Sequence, residues 1–119
     1  MNELGMREED RAGILVLTVE GFLDAHTAPK FEQMLAQAIA QKRYRIVVQC
    51  SGLTYISSTG LGVFMAFIDT VRDAGGDIKL ACVTPKVYKV FDLLGFPKLL
   101  EFYGTVDEAL PRFAGSATR

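Results

Sequence analysis

Short apolar runs of strand character alternate with longer segments whose apolar residues recur at helical spacing, and this alternation leaves few topologies open. Ile14-Leu-Val-Leu-Thr-Val19 is β-branched and apolar and ends at Glu20-Gly21, which predicts a strand, with a ragged partner before the Arg11-Ala-Gly13 turn. From Thr27 the pattern changes to Phe31, Met34, Leu35, Ala38 and Ile39, one face of a helix, with Thr27 placed to cap it and Pro29 tolerated in its first turn. Arg45-Ile-Val-Val-Gln-Cys50 shows little alternation, as a parallel strand buried on both faces does.

The rest of the chain repeats the pattern. Ser51 to Ser58 is expected as a loop, followed by a helix from about Ser58 to Ala74 that Gly75-Gly76 stops. Ile78-Lys-Leu-Ala-Cys-Val83 returns as a strand. Thr84-Pro85 opens a helix with Val87, Val90, Phe91 and Leu94 on one face as far as Gly95. Leu99 to Tyr103 predicts a short last strand, and Thr105-Val-Asp-Glu108 is a capping box for a final helix with Val106, Ala109, Leu110 and Phe113 inward. Strands joined by helices imply right-handed crossovers, so the fold class is α/β with a mostly parallel or mixed sheet of about five strands and about four helices. No repeat or linker divides residues 1–119, which are expected to form one domain with a frayed tail at 115–119.

Composition narrows function by exclusion. Half of the 119 residues are hydrophobic, enough for one core without metal or disulfide, and a net charge of −1 makes no case for nucleic acid or an anionic membrane. The densest basic cluster is Lys42-Arg43 with Arg45, which reads as a solvated helix end. No apolar run approaches the roughly 20 residues of a membrane span, and MNELGMREED has no apolar signal core, so a cytoplasmic location is expected. Cys50 and Cys82 fall inside apolar segments and read as small buried hydrophobes.

Catalytic constellations are missing. His26 is the only histidine, no Gly-x-Ser-x-Gly elbow surrounds a serine, and Cys50, Cys82 and His26 have no zinc-ligand spacing. Gly60-Leu-Gly62 lacks the Gly-Lys-Ser/Thr ending of a phosphate loop, and its glycines are better explained by close approach of a helix to the sheet. No enzyme activity, metal or cofactor is expected. What stands out is Ser57, Ser58 and Thr59, three hydroxyls at a strand-to-helix junction, where open α/β sheets usually meet their ligands. One of them is needed to cap the helix, which leaves two unexplained. A phosphoryl group there would meet the positive end of the helix macrodipole and add nearly two negative charges to a surface a partner could bury. The following helix, Leu61 to Ile68, is apolar almost all round, so either neighbours cover it or some of Leu61, Phe64, Met65 and Phe67 stay exposed as an anchor.

Three segments together resemble the anti-sigma factor antagonists of the STAS domain family. Glu20-Gly-Phe-Leu-Asp-Ala-His-Thr-Ala28 is similar to that family's Gly-x-Leu-Asp-x-x-Thr; Ser51-Gly-Leu-Thr-Tyr-Ile-Ser-Ser-Thr-Gly-Leu-Gly62 resembles its loop ending Asp-Ser-Ser/Thr-Gly-Leu-Gly; Val83-Thr-Pro-Lys-Val-Tyr-Lys-Val-Phe-Asp-Leu-Leu-Gly95 is the third. The resemblance implies a domain that, unphosphorylated, binds an anti-sigma factor serine kinase and so frees a sigma factor. It implies phosphorylation by that kinase at Ser58, with Thr59 and Ser57 as alternative acceptors, and resetting by a metal-dependent serine phosphatase. Asp24, Ser57, Ser58, Thr59, Gly60, Leu61, Phe64 and Met65 are the implied partner-binding residues. Ser57 stands where the family has aspartate, and Gln49 where an acidic residue often ends the preceding strand, so negative charge is missing beside the acceptor. A second implication is a STAS subunit of a complex unrelated to sigma factors, such as a lipid transporter or signalling scaffold.

Overall fold

In the computed structural model, which describes residues 3–113, β1 (Leu4–Arg11) and β2 (Ile14–Leu23) form an antiparallel hairpin, and α1 (Ala28–Ala40) leads to β3 (Arg45–Ile56). Then follow α2 (Ser58–Asp73), β4 (Asp77–Ala81), α3 (Pro85–Leu93), a 3-10 turn at Phe96–Lys98, β5 (Phe102–Tyr103) and α4 (Val106–Ala109), which runs into a 3-10 turn at Leu110–Arg112. The frayed tail expected at 115–119 lies outside the described residues.

Strand order in the sheet equals chain order, β1-β2-β3-β4-β5, with every pair parallel except β1 with β2. Right-handed crossovers between successive neighbours must all pass over the same face. Accordingly Phe31 and Leu35 of α1, Leu61, Phe64, Ile68 and Val71 of α2, and Val87 and Phe91 of α3 share one core with the inward residues of the sheet. Among the described residues the opposite face receives only the C-terminal segment, whose Ala109 and Phe113 pack on Ile14, Val16, Val47 and Ala81. β3 is therefore covered on both faces along Ile46-Val47-Val48, as its unalternating sequence predicts.

Several boundaries differ from the sequence reading. β2 does not stop at Glu20-Gly21 but continues to Leu23, because Gly21 takes φ 99° and lets the strand pass Glu3 without breaking its pairing. The segment 51–56 expected as a loop is strand. Two register shifts against β2 place Cys50, Leu53 and Ile56 in the core at a spacing of three, and these bulges erase the alternation that marks a strand. The last strand shrinks to Phe102–Tyr103, since only Leu80 and Ala81 of β4 are opposite it. Leu94 does not line the α3 core face: the chain turns at Gly95, φ 79°, and Leu93 and Leu94 are 78% and 55% exposed.

One charged residue is sealed into the sheet. Lys79 of β4 is 3% exposed, its Nζ lying 2.9 Å from Asp77 Oδ2, 2.7 Å from Glu101 Oε1 and 4.9 Å from the centre of the Phe113 ring. Burial alone would pull the Lys79 pKa down, but the hydrogen bonds to Glu101 and Asp77 outweigh it and hold the value above that of a free lysine. Hydrogen bonds from Lys79 and Tyr103 hold the Glu101 carboxyl below the usual carboxylate range. A carboxylate with a lowered folded pKa stabilises above its unfolded value, near 4.3, and that contribution is lost as pH falls through the folded value. Thermal melts should therefore show stability declining below about pH 4, and Glu101→Gln should flatten that limb, by less than about 1 kcal/mol because Glu101 is half exposed. The lysine works in the opposite sense: its contribution persists to about pH 10 and is lost as pH rises through the raised folded value.

Candidate functional site

The carboxyl ends of β2 and β3 are stitched together and carry the three hydroxyls. Ser57 N–H donates to Leu23 O at 2.9 Å, and Thr54 Oγ1 donates to Gly21 O at 3.1 Å. On the β2 side, Asp24 Oδ1 accepts from the backbone N–H groups of His26 and Thr27 at 3.0 and 3.1 Å, which curls the loop into an Asx-type turn. Thr27 is the N-cap of α1 by position, yet its hydroxyl makes no cap hydrogen bond to that helix. It donates to Phe22 O at 2.8 Å and accepts from Asp24 N–H at 2.9 Å, so it ties the loop to the strand instead of capping. Thr27 is 5% exposed, and a hydroxyl that buried must find partners wherever they lie. His26 is an exposed loop residue next to the cap.

On the β3 side the hydroxyls divide their work. Ser57 has extended backbone, φ −101° and ψ 171°, and its Oγ accepts from Gly60 N–H at 3.3 Å. It is the cap. Ser58 and Thr59 begin the helix with both side chains exposed, above first-turn N–H groups that have no carbonyl four residues back to bond. Gly60 is buried beneath them, and a Cβ there would sit 2.8 Å from both Leu23 Cγ and Leu23 O. The close approach expected of Gly60-Leu-Gly62 is made by Gly60 alone. Gly62 faces open space, with nothing near the position of an added Cβ.

The apolar helix behind the hydroxyls is mostly core. Leu61 and Phe64 are 2% and 1% exposed and Phe67 is half-buried, so neither Leu61 nor Phe64 can serve as the surface anchor the sequence allowed. Their direction is set by the crossover, which turns that stripe of α2 toward Phe31 and Phe91. Met65 is 45% exposed. At 100° per residue, Ser58, Gly62 and Met65 fall on one stripe, about 10 Å long, with bare backbone in the middle. Beside it a cleft of about 220 Å³ opens between α1 and α2, lined by Ala25, Pro29, Glu32, Thr59 and Gly62 among others.

Of the eight residues implied as partner-binding, Asp24, Ser57, Ser58, Thr59 and Met65 therefore reach or approach the surface at this end, while Gly60, Leu61 and Phe64 support them from within. Sequence reasoning gave Gly62 a close-packing role that it does not have, and passed over the exposed rings of Phe22 and Tyr55 on the same strand ends. Registering 20–23 against 52–56 would have found the rings, had 51–56 been read as strand. Among the described residues no group of His, Cys, Asp and Glu is placed to hold a metal ion, and no helix is long and apolar enough to cross a membrane. Cys50 and Cys82 are both free; Cys50 is buried as expected, whereas Cys82 is only partly so.

This architecture recurs in known proteins. The anti-sigma F factor antagonist of Paenibacillus polymyxa is 28% identical to the chain over 108 residues, 90% of this chain and 92% of that protein. The crystal structure of an anti-sigma factor antagonist from Mycobacterium paratuberculosis matches with a TM-score of 0.85 and 26% identity, over 93% of this chain and 94% of that one. The anti-sigma factor antagonist SpoIIAA in its unphosphorylated form shares the fold, with a TM-score of 0.79 at 24% identity over 93% of this chain and 97% of that one. The family match itself runs from residue 6 to residue 109, from β1 through the hydroxyl junction to α4, and on that span the chain belongs to the STAS domain family.

Proposed function

We propose that the chain is an anti-sigma factor antagonist switched by phosphorylation at Ser58. Unphosphorylated, it binds an anti-sigma factor serine kinase through the strand ends and the outer stripe of α2, and so releases a sigma factor. The kinase phosphorylates Ser58 and leaves the complex, and a metal-dependent serine phosphatase restores the hydroxyl. The chain itself contributes no catalysis.

The observation that carries this reading is the division of labour among the hydroxyls: Ser57 is spent on the cap, while Ser58 stands exposed on the first turn. Ser58 and Thr59 are therefore hydroxyls that a kinase can take without unmaking the helix start, and between them the family resemblance favours Ser58. A phosphoryl group on it would gain from the first-turn N–H groups and the macrodipole, and would put almost two charges at the centre of the contact surface. Asp24, on the facing loop, adds to the negative charge that a docked partner would then have to tolerate. With serine at 57 the unphosphorylated surface is less acidic than the family pattern, so the added phosphate makes a larger relative change; Gln49 takes no part in this, because β3 runs on to Ile56 and leaves it in mid-strand. The antagonist names and coverage of the relatives support the reading.

The test is incubation of the full chain with the host's anti-sigma kinases and ATP, followed by phosphosite mapping. One phosphoryl group at Ser58, with Thr59 and Ser57 unlabelled, is the expected result. No label on any of the three by any such kinase would sink the switch.

A further inference from the structure

The rings of Phe22 and Tyr55 form an exposed aromatic pair on the sheet face opposite α1–α3, outside the stripe that carries Ser58. The two residues are register partners at the ends of β2 and β3, their ring centroids 5.5 Å apart and their planes at 35°, and they remain 38% and 44% exposed. The bulges in β3 turn Tyr55 to this side while Leu53 and Ile56 keep the core.

The strand ends that carry the rings are acidic, while Arg7 of β1, opposite Thr18, lies farther along the same face. Segments 20–24 and 51–56 contain Glu20 and Asp24 and no lysine or arginine, and Glu3, whose carbonyl accepts from Phe22 N–H at 2.9 Å, adds a third carboxylate. Glu20 lies across the neighbouring strand: a Cβ at Gly52 would be 2.8 Å from its Cγ and 3.3 Å from Oε2. Ring faces attract cations through their quadrupole, and a carboxylate accepts a guanidinium fork in two bonds. A guanidinium, being planar and more weakly hydrated than an ammonium, is the cation that stacks on such rings.

We infer that an arginine side chain of the partner protein docks on the Phe22–Tyr55 rings, with Glu20 as its counter-charge. This rests on the reading that a protein partner binds these strand ends; it adds a grip on the other face of the sheet, so that the partner straddles the junction.

The chemistry is testable without the kinase. The isotope-labelled full chain is titrated with L-argininamide and with its neutral isostere L-citrullinamide, and the ring resonances of Phe22 and Tyr55 are followed by NMR. Argininamide should shift both rings and bind at least about threefold more tightly than the citrulline probe. Tyr55→Leu and, separately, Phe22→Leu should remove most of that difference, and Glu20→Gln should reduce it about twofold. Equal response to the two probes, no shift at either ring, or concentration-dependent self-association through the rings overturns the inference. None of these results bears on Ser58 labelling, so the failure of this idea and the failure of the switch are separate outcomes.

Discussion

Phe64→Ala is expected to lose about 3–5 kcal/mol of folding stability, as large-to-small changes of buried aromatic residues do. The ring is 1% exposed and lies 5.3 Å from Phe31 and 5.9 Å from Phe91, so it is the point where α1, α2 and α3 meet over the sheet. Its removal leaves a cavity bounded by three helices that are each fixed to separate strands and cannot close in together. Urea unfolding of the variant beside the parent protein measures the loss directly. Met65→Ala, one residue on but 45% exposed, should change stability by less than about 1 kcal/mol. A Phe64→Ala variant as stable as Met65→Ala would mean that the stripe assignment of α2 is wrong. The pair also separates core from contact: Phe64→Ala should weaken partner binding only in proportion to the fraction unfolded, whereas Met65→Ala acts on the surface itself.

At the switch, Ser58→Asp should weaken kinase binding by about 10- to 100-fold, that is by about 1.4–2.8 kcal/mol, through unfavourable charge in a surface that is desolvated on docking. One carboxylate reproduces only part of a phosphate's charge, so the phosphorylated protein itself should bind more weakly still. Ser58→Ala should bind within about threefold of the parent and resist switching by kinase and ATP. Neither change should unfold the domain, because Ser58 does not cap the helix. Ser57→Ala, which removes the acceptor for Gly60 N–H, should instead cost about 1 kcal/mol in stability. Binding measured by titration calorimetry, alongside melts of all three variants, distinguishes the roles. If Ser58→Asp binds as well as the parent, charge at this position does not control the complex.

Much of the architecture was legible because its causes are local. The Thr84-Pro85 start and the Thr105–Glu108 capping box are short-range hydrogen-bonding solutions, and both appear as written, with Thr84 accepting from Val87 N–H and Thr105 and Glu108 bonding reciprocally. The order of strands and helices followed from period. What the sequence concealed lies where backbone geometry overrides period. The bulged half of β3 looks like a loop because its core positions recur every third residue, and Thr27 looks like a cap because it is the curl of the loop, which period does not show, that brings Phe22 O, five residues back, to its hydroxyl.

The three hydroxyls at 57–59 could be located from sequence alone, together with the helix they begin and the phosphate-favouring character of its first turn, since these depend on residues within one turn of one another. Which hydroxyl caps and which is exposed was decided by Leu23, whose carbonyl takes Ser57 N–H and whose side chain and carbonyl leave no room for a Cβ at Gly60. Which side of an almost uniformly apolar helix faces water was likewise a tertiary matter. A helix apolar all round has no intrinsic orientation, and only the same-face crossovers over a sequentially ordered sheet turn Phe64 inward and leave Ser58 and Met65 outside.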